Sequence, residues 1–524
     1  MTSPVIYVRK VGKILLNPIE LLFSKVFTDK INPLFHLGTL SFFFFWIAAG
    51  SGLFLYVFFE TSVDHAYDSI EYLMTEQWYL GGIMRSLHRY SSAAMVVAAT
   101  LHMSREFIKG RYQGVRLFSW VTGVPLLWLL FISGIGGYWL VWDQLAQYVA
   151  LMSAEFLDWL PIMVDPMARN FLNEETVSDR LFSLLAFLHI GFPLTLLLGM
   201  FVHIQRISYA KTNPPKELAI GVLIALVVLS LVRPALSQAP ANLDQTVADV
   251  GLDWFYLNLY PLMENWGPGP VWALLVGITG LLVILPKLTA HKRKEIAVVD
   301  PDNCNGCGWC FADCPYGAVT MKEHDFKKGH KQSVVNPDLC IGCGICAGAC
   351  PSSTPFRSVD ELITGIDMPE LPIKELLART DAKAKQLSGN KPKVLVYGCE
   401  CSAAVGALER DNVAAVSLPC VGQLPPSFID YIFRNQLADG VMVTGCREED
   451  CHYRLGNTWL EQRFAAERYP HLRTTNAKRD ILVEWVGEQG DKMLAKRLDN
   501  YIDALERAEH IDDSRFAKGV ASNE

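Results

Sequence analysis

The first 303 residues contain no cysteine, and all 13 cysteines of this 524-residue chain lie after residue 300. A haem attached through thioether bonds is therefore excluded from the N-terminal half, because that attachment needs cysteine. Also missing are a glycine-rich dinucleotide fingerprint placed after a strand, nickel-type cysteine pairs and a Rieske-type Cys/His pattern. No catalytic centre of these kinds is expected in this chain.

Charge is scarce in one half of the chain. The hydrophobic content is 51%, and it is concentrated in residues 34–290, whereas residues 291–524 are polar and charged. The net charge of −7 and the lack of a nucleic-acid motif give no reason to expect nucleic-acid binding. Membrane-spanning helices are predicted at six apolar segments: 36–59, 81–103, 118–141, 181–204, 218–236 and 268–287.

Lysine and arginine are missing from the loop after the first segment and from the loop at 234–266, whereas basic clusters follow the second, fourth and sixth segments. The positive-inside rule then predicts a multi-pass protein of the cytoplasmic membrane, with both termini and the whole cysteine-rich half in the cytoplasm. A large soluble core would not produce this alternation. No secretory signal is expected, and residues 1–33 are predicted to form an interfacial helix.

Two pairs of histidines lie inside apolar segments with the same spacing, His88 with His102 and His189 with His203. Fourteen residues of helix rise about 21 Å and return to nearly the same face. Ionisable groups inside a membrane are costly, so matched pairs on two helices indicate function. The spacing predicts two stacked metal centres, and imidazole on both sides of a haem iron is a standard electron-transfer arrangement.

Glycines recur at the same 14-residue step in the first and third segments: Gly38, Gly52, Gly123 and Gly137. A macrocycle wedged between helices needs missing side chains where its face meets backbone. With these glycines and the segment GIMRSLHRYSSAAMVVAATLH, residues 34–287 resemble the cytochrome b family of quinol-oxidising bc complexes.

The resemblance implies two b haems lined by those four glycines. It places His88 and His189 on an outer haem, and His102 and His203 on an inner haem. It also places Arg85 beside a haem propionate.

Two further segments match the same family with departures. Residues 137–148, GYWLVWDQLAQY, resemble a segment at the family's outer quinone site, with Val141 in place of a proline. Residues 252–262, LDWFYLNLYPL, resemble its Pro-Glu-Trp-Tyr signature, with Asp253 for the glutamate and Phe255 for the tyrosine. A carboxylate there can accept a quinol proton if it lies within hydrogen-bond reach. Two roles stay open for Asp253: quinone proton acceptor or structural loop acid.

Residues 298–356 contain two C-x2-C-x2-C-x3-C-P runs, and this spacing is that of a bacterial ferredoxin with two [4Fe–4S] clusters. The fourth cysteine of each run binds the other cluster. Cluster one is therefore expected on Cys304, Cys307, Cys310 and Cys350. Cluster two is expected on Cys340, Cys343, Cys346 and Cys314. Zinc ribbons are the alternative, and disulfides do not fit a cytoplasmic domain.

Three valine-rich runs, 394–399, 413–420 and 439–446, alternate with helical stretches and predict a small α/β domain with a parallel sheet. The carboxyl ends of such strands share one edge. Five cysteines are expected to converge there: Cys399, Cys401, Cys420, Cys446 and Cys451. His452, beside Cys451, is expected to pack rather than to bind iron.

The stretches CECSAAVG, SLPCVGQLPPSFIDYIF and GVMVTGCREEDCHYRLGN resemble the delta iron–sulfur subunit of methyl-viologen-reducing hydrogenase. The resemblance implies one [2Fe–2S] centre and electron exchange with a heterodisulfide-reductase flavoprotein. Cys399 and Cys401 are separated by one residue where two are usual, so which four cysteines bind iron stays open.

The predicted fold is multi-domain: an α-helical transmembrane bundle of about six spans, an α+β two-cluster ferredoxin and a small α/β iron–sulfur domain. The predicted segments are 1–33 (interfacial helix), 34–290 (cytochrome b-like), 298–356 (ferredoxin), 357–391 (linker), 392–486 (hydrogenase-delta-like) and 487–524 (helical tail).

These elements can form one electron-transfer chain without a site for substrate chemistry. The main interpretation is a membrane-anchoring oxidoreductase subunit that carries electrons between a cytoplasmic flavin or iron–sulfur enzyme and quinone. The resemblances imply a partner like heterodisulfide reductase, with a [NiFe] hydrogenase second, and they allow a homodimer through the membrane helices. Two alternatives are a bc-type subunit that splits quinol electrons with a high-potential partner, and a redox sensor without turnover.

Overall fold

The computed structural model describes residues 4–162, 165–168, 177–205, 208–245, 247, 250–253, 255–289, 294–357, 361–473, 480–488 and 490–507. It divides into two compact units. The first comprises Met1–Gln205 and Ala210–Ala290, and the second comprises Arg206–Tyr209 and His291–Glu524. Trp254, the third position of the Pro-Glu-Trp-Tyr-like segment, and the last part of the predicted tail lie outside the described residues.

The first unit is helical. Its helices are α1 (Pro4–Phe27), α2 (Leu37–Phe58), α3 (Ala66–Thr75), α4 (Ile83–Ile108), α5 (Leu117–Trp139), α6 (Gln144–Asp158), α7 (Asp179–Ile204), α8 (Lys216–Val232), α9 (Leu259–Trp266) and α10 (Pro268–Leu288). Each predicted span coincides with one of α2, α4, α5, α7, α8 and α10. Among the described residues, α2, α5, α7 and α10 are long and apolar enough to cross a membrane. The helix α4 carries two histidines and several arginines, and α8 has only 17 residues.

Two helix pairs organise this unit, because α2 lies along α4 and α5 lies along α7. Small and apolar residues line the contacts, and Phe44, Val96 and Leu130 are buried there. Other large apolar side chains face outward, with Phe187 70% and Leu198 64% exposed. Such an apolar outer surface is what a lipid-facing helix needs. This unit is therefore a membrane domain in which α4 and α7 carry the histidines.

The ferredoxin part of the second unit consists of β1 (Val298–Val299), α11 (Trp309–Asp313), β2 (Val319–Glu323), β3 (Lys331–Val335), α12 (Ile345–Ala349) and β4 (Ile366–Asp367). The strands form antiparallel pairs, β1 with β4 and β2 with β3. Gly308 and Gly344 precede the two short helices with φ of 79° and 77°. Glycine adopts this left-handed conformation without strain, so each cysteine loop can turn sharply into its helix.

The C-terminal part is a parallel α/β domain. Its elements are α13 (Ile373–Gln386), β5 (Val394–Cys399), β6 (Val413–Leu418), α14 (Pro426–Arg434), β7 (Gly440–Gly445), α15 (Gly456–Phe464), β8 (Ile481–Trp485) and α16 (Asp491–Glu506). The strand order is β6-β5-β7-β8, and every pairing is parallel. The predicted fold class is thereby confirmed, although the sequence analysis identified three of these strands and missed β8.

Both faces of this sheet are covered. Leu395 and Tyr397 of β5 belong to the core on one face, where α13 packs, and the Thr380 and Tyr397 hydroxyls are 2.8 Å apart. Val394 and Val396 belong to the core on the other face, with the apolar side of α16. Thus α13, within the predicted linker, and α16, within the predicted tail, are layers of this domain.

Candidate redox sites

One pair of histidines, His88 and His189, meets between α4 and α7. The ring centroids of His88 and His189 are 6.1 Å apart, with the planes inclined at 73°. Two metal–imidazole bonds of about 2 Å on opposite sides of one metal ion, added to the ring radii, require a similar separation. The two rings are therefore spaced so that both would bind one metal ion.

Hydrogen bonds hold three of the imidazoles through Nδ1. The Nδ1 atom of His88 lies 2.8 Å from the carbonyl oxygen of Ala48, and that of His189 lies 3.1 Å from the carbonyl oxygen of Ser133. The Nδ1 atom of His203 lies 3.1 Å from Oγ1 of Thr122. A partner on one ring nitrogen fixes the ring orientation and leaves Nε2 to bind a metal. The sequence analysis did not identify these partners, because two of them are backbone carbonyls.

Each of the four glycines faces one of the four histidines. A Cβ atom added to Gly52 would lie 2.8 Å from Cε1 of His88, and one added to Gly137 would lie 2.9 Å from Cε1 of His189. The second pair of histidines repeats this pattern one 14-residue step along the helices. A Cβ atom added to Gly38 would lie 3.3 Å from Cε1 of His102, and one added to Gly123 would lie 3.4 Å from Cε1 of His203. Helix α2 thus makes room beside the histidines of α4, and α5 does the same for α7.

These four histidines fit two b haems at two positions along the helix axis. Half-buried imidazoles on facing helices, with glycines beside them, would bind a haem iron and leave space for a planar macrocycle. His88 and His189 would hold one haem, and His102 and His203 would hold the other.

Arg85, predicted beside a propionate, is buried and interacts with Glu71 of α3 and Ser237 of the loop after α8. Its Nη1 is 3.2 Å from Oε1 of Glu71, and its Nη2 donates to Oγ of Ser237 at 2.6 Å. The same serine donates to Glu71 at 2.6 Å. The guanidinium therefore forms an ion pair with α3 and a hydrogen bond with the loop that follows α8.

Asp253 lies in a compact polar cluster. Its Oδ2 is 2.6 Å from Nη2 of Arg89 and accepts the hydroxyl hydrogen of Tyr138 at 2.9 Å. Its Oδ1 accepts the backbone N–H of Phe255 at 2.9 Å and that of Tyr256 at 3.3 Å. The Arg89 guanidinium also lies over the Tyr138 ring, 4.3 Å from its centroid. Arg89 directly follows His88 in the sequence, but no sequence pattern links it to Asp253.

The eight ferredoxin cysteines surround two separate cavities. The lining of one includes Cys304, Cys307, Cys310 and Cys350. The lining of the other includes Cys314, Cys340, Cys343 and Cys346. In each cavity three thiols come from one cysteine run and the fourth comes from the other run. Four thiolates around one cavity are the donor set of a [4Fe–4S] cluster.

Burial makes these thiols poor acids on their own. It raises the pKa of the Cys310 thiol to about 12 and raises the pKa values of Cys343 and Cys346 above the ordinary thiol value. Iron supplies the positive charge that stabilises thiolates in such surroundings. The two sites therefore fit iron–sulfur clusters better than free thiols.

The five C-terminal cysteines converge at the carboxyl edge of the sheet. The Sγ atoms of Cys399, Cys401 and Cys446 lie within 4.8 Å of one another. A Cβ atom added to Gly456 would meet the sulfur of Cys420 and lie 3.8 Å from that of Cys451. This thiol cluster fits a four-thiolate iron–sulfur centre.

Backbone amides point at two of these sulfurs. The Val421 N–H donates to Cys399 Sγ at 3.2 Å, and the His452 N–H donates to Cys446 Sγ at 3.5 Å. His452 thus makes a backbone contact with this cluster. Which four of the five cysteines bind iron stays a prediction.

Together these sites define a membrane electron-transfer protein with haem and iron–sulfur centres. Three family models match parts of the chain: Cytochrome b/b6/petB at residues 22–211, the 4Fe-4S dicluster domain at 286–354, and the delta subunit of methyl-viologen-reducing hydrogenase at 387–508. Cytochrome b6 of Prochlorococcus marinus is 30% identical over 196 residues, which is 37% of this chain and 88% of that protein. The chain belongs to the cytochrome b/b6 family through its N-terminal half.

Among solved structures, a chain of a hyperthermophilic respiratory Complex III is 20% identical to this protein. That match covers 51% of this chain and 80% of the other, with a TM-score of 0.40.

Replacing Gly52 by valine should remove the haem that His88 and His189 would hold, while sparing the one that His102 and His203 would hold. A branched side chain there collides with His88, whose ring lies 2.8 Å from the first added carbon. The haem-to-protein ratio should fall to about half, because a packed helix interface cannot yield this volume. The measurement is a pyridine haemochrome assay on the purified protein.

Gly50→Val is the matched control, since no described residue comes within 4 Å of a Cβ atom at Gly50 of the same helix. Full haem content in Gly52→Val, or equal loss in both variants, would contradict the assignment.

Crossed ligation predicts opposite results for two double alanine variants. Cys304→Ala with Cys350→Ala removes two ligands from one site, so one reduced [4Fe–4S] signal should remain in the electron paramagnetic resonance spectrum. Cys340→Ala with Cys350→Ala removes one ligand from each site, so both signals should weaken or vanish. If each run held its own cluster, the second variant would keep one cluster intact and the first would damage both.

Proposed function

We propose that this chain is the membrane-anchoring subunit of an oxidoreductase that carries electrons between a cytoplasmic flavin or iron–sulfur enzyme and the quinone pool. The observation that carries the proposal is the presence, in one chain, of two bis-histidine sites between membrane helices and three cysteine sites. Bound there, two b haems, two [4Fe–4S] clusters and one [2Fe–2S] centre supply one-electron transfer. The soluble substrate would then be converted on another subunit.

The protein's own contribution is to hold and insulate these groups. Carbonyl and hydroxyl partners fix His88, His189 and His203 through Nδ1. Seven of the 13 cysteines at the iron–sulfur sites are buried, and the backbone N–H of Val421 donates to Cys399 Sγ. Hydrogen bonds and packing of this kind let a ligand set tune a redox centre.

We propose Asp253 as the residue that accepts a proton from quinol, or returns one to quinone, at the outer face. Its Oδ2 already accepts one hydroxyl hydrogen, from Tyr138, so it is directed at a group of the kind that a quinol presents. The same oxygen lies 2.6 Å from Nη2 of Arg89, and a carboxylate in this position can accept a proton from a group within hydrogen-bond reach. Both side chains retain solvent contact, with Arg89 32% and Asp253 16% exposed.

The resemblance of the C-terminal domain to the hydrogenase delta subunit supports a soluble partner of the heterodisulfide-reductase type. We place all three iron–sulfur sites and both termini in the cytoplasm, because basic residues cluster on the side of the membrane from which the cysteine half emerges.

Purification of the native complex through a tag on this chain tests the proposed function. Proteins that co-purify in mild detergent are identified by mass spectrometry, and quinone reduction by the complex is measured. A flavoprotein with iron–sulfur motifs, together with quinone reductase activity, is the expected result. A Rieske protein or a cytochrome c, without a soluble dehydrogenase, would contradict it and favour quinol splitting.

Replacing Asp253 by asparagine should slow the quinone-linked rate at least about tenfold, because a positioned base contributes about 100-fold or more to proton transfer. Haem content should stay unchanged, and Asp253→Glu should retain most of the rate. Turnover is measured with a soluble quinol analogue and an artificial electron acceptor.

Asp244→Asn in the same loop is the control, since Asp244 is exposed. If Asp253→Asn loses haem in proportion to activity, the residue is a structural loop acid instead.

A further inference from the structure

One carboxylate of the iron–sulfur unit is buried between two guanidinium groups. Asp313 Oδ2 is 2.5 Å from Nη2 of Arg463, and the two side chains are 2% and 0% exposed. Asp313 Oδ1 pairs with Arg468, whose guanidinium stacks 3.5 Å from the centroid of the Trp459 ring. The indole N–H of Trp459 donates to the backbone carbonyl of Asp313 at 3.1 Å.

This cluster joins the ferredoxin part to the C-terminal domain. Asp313 ends α11, whereas Arg463 belongs to α15. Arg463 Nη1 donates to the Gly422 carbonyl at 2.9 Å, and its Nη2 lies 3.4 Å from the Ile345 carbonyl oxygen. Its Nε–H has no hydrogen-bond partner among the described residues. These contacts therefore hold the ferredoxin part against the C-terminal domain, with the buried Arg463 guanidinium between them.

The cation lies beside the second four-cysteine site. Asp313 directly precedes Cys314, and Ile345, whose carbonyl faces Arg463, lies between Cys343 and Cys346. The first site has different surroundings, since Cys307 is exposed there. A guanidinium next to that site, Arg357, bonds to Asn303 and is partly exposed. Water screens such a charge more than it screens a buried one.

The charges within the cluster do not cancel. Two guanidinium groups share one carboxylate, which leaves one excess positive charge; Arg463 and Asp313 are buried, and Arg468 is partly exposed. Arginine stays protonated even there. Charges interact more strongly at low dielectric than in water, so the excess positive charge acts on a cluster at the second site. Net charge and hydrogen bonding are two of the factors that set iron–sulfur reduction potentials.

The C-terminal thiol cluster lies against the same site. Cys420 is followed by Val421 and Gly422, and a Cβ atom on Gly422 would lie 2.8 Å from Cγ1 of Ile345. A Cβ atom on Gly344, which follows Cys343, would lie 2.7 Å from Cδ of Gln423, three residues after Cys420. The second four-cysteine site is thus the one that adjoins the C-terminal centre.

We propose that Arg463 is a positioning residue that raises the reduction potential of the cluster at Cys314, Cys340, Cys343 and Cys346 above that of the cluster at the first site. The cluster next to the C-terminal centre is then the more easily reduced of the two. This inference rests on the proposed cofactor assignment, and it requires neither the partner nor the quinone reaction.

Redox titration of the full-length protein, monitored by electron paramagnetic resonance, tests the proposal. Arg463→Gln removes a cation and should shift the reduction equilibrium of the second cluster at least tenfold toward the oxidised form, which is about 59 mV for a one-electron couple. Asp313→Asn removes the anion and should shift it in the opposite direction. Arg463→Lys should restore most of the wild-type potential, and the first cluster should change little in every variant.

The opposite signs distinguish an electrostatic role from a structural one, because a loosened interface has no reason to move the potential in opposite directions. The Cys304→Ala, Cys350→Ala background, which keeps the second site intact, assigns the signal. Shifts of the same sign, or shifts confined to the first cluster, would overturn the proposal.

If Arg463→Gln fails to assemble its iron–sulfur clusters, the same redox titration of Arg468→Gln tests the proposal. Arg468 is 23% exposed, so a smaller downward shift is expected, and an unchanged potential would again contradict the proposal. Because no quinone or partner is present, either result leaves the proposed function to its own test.

Discussion

The structure of the membrane half depends on one constraint: a planar macrocycle must fit between helices that otherwise pack closely. Four histidines and four glycines satisfy it together. Each imidazole of α4 faces a glycine of α2, and each imidazole of α7 faces a glycine of α5. The 14-residue step repeats this arrangement about 21 Å along the helix axis, which is most of the thickness of a bilayer core. Two centres on one pair of helices follow from that repeat alone.

In the cysteine half, the backbone must also leave space for a cofactor, here by placing thiols around a cavity. Thiolates are unstable in a buried site without a metal, so backbone turns and hydrogen bonds must place them around a cavity that iron fills. In the ferredoxin part, left-handed glycines turn each loop into a short helix. In the C-terminal domain, the parallel sheet brings the ends of β5, β6 and β7 to one edge, where the thiols meet.

Local spacing was enough to predict most of this architecture. The six spans, the two cysteine runs and the first three parallel strands each have a signal within a short stretch of sequence. The strand β8 was missed because its five residues stand alone after a charged stretch. The helices α13 and α16 were interpreted as linker and tail because their polar faces dominate their composition. Only the folded sheet shows what their apolar faces cover.

The unpredicted site residues depend on contacts between distant parts of the chain. Arg89 meets Asp253 across 164 positions of sequence, and Arg463 meets Asp313 across 150. No spacing rule connects such pairs. Sequence patterns therefore located the ligands, whereas the charges that surround them emerged only from the fold.

The central claim is that the cysteine half and the haem half form one electron route. The most direct measurement is the rate of haem b reduction in proteoliposomes after mixing with a membrane-impermeant, low-potential protein donor. Cys340→Ala with Cys346→Ala, which removes the second cluster, serves as the comparison at equal haem content. We predict rapid haem reduction in the unmodified protein and its loss in the variant. Equal rates in the two proteins would contradict the account, because electrons would then reach the haems without the iron–sulfur centres.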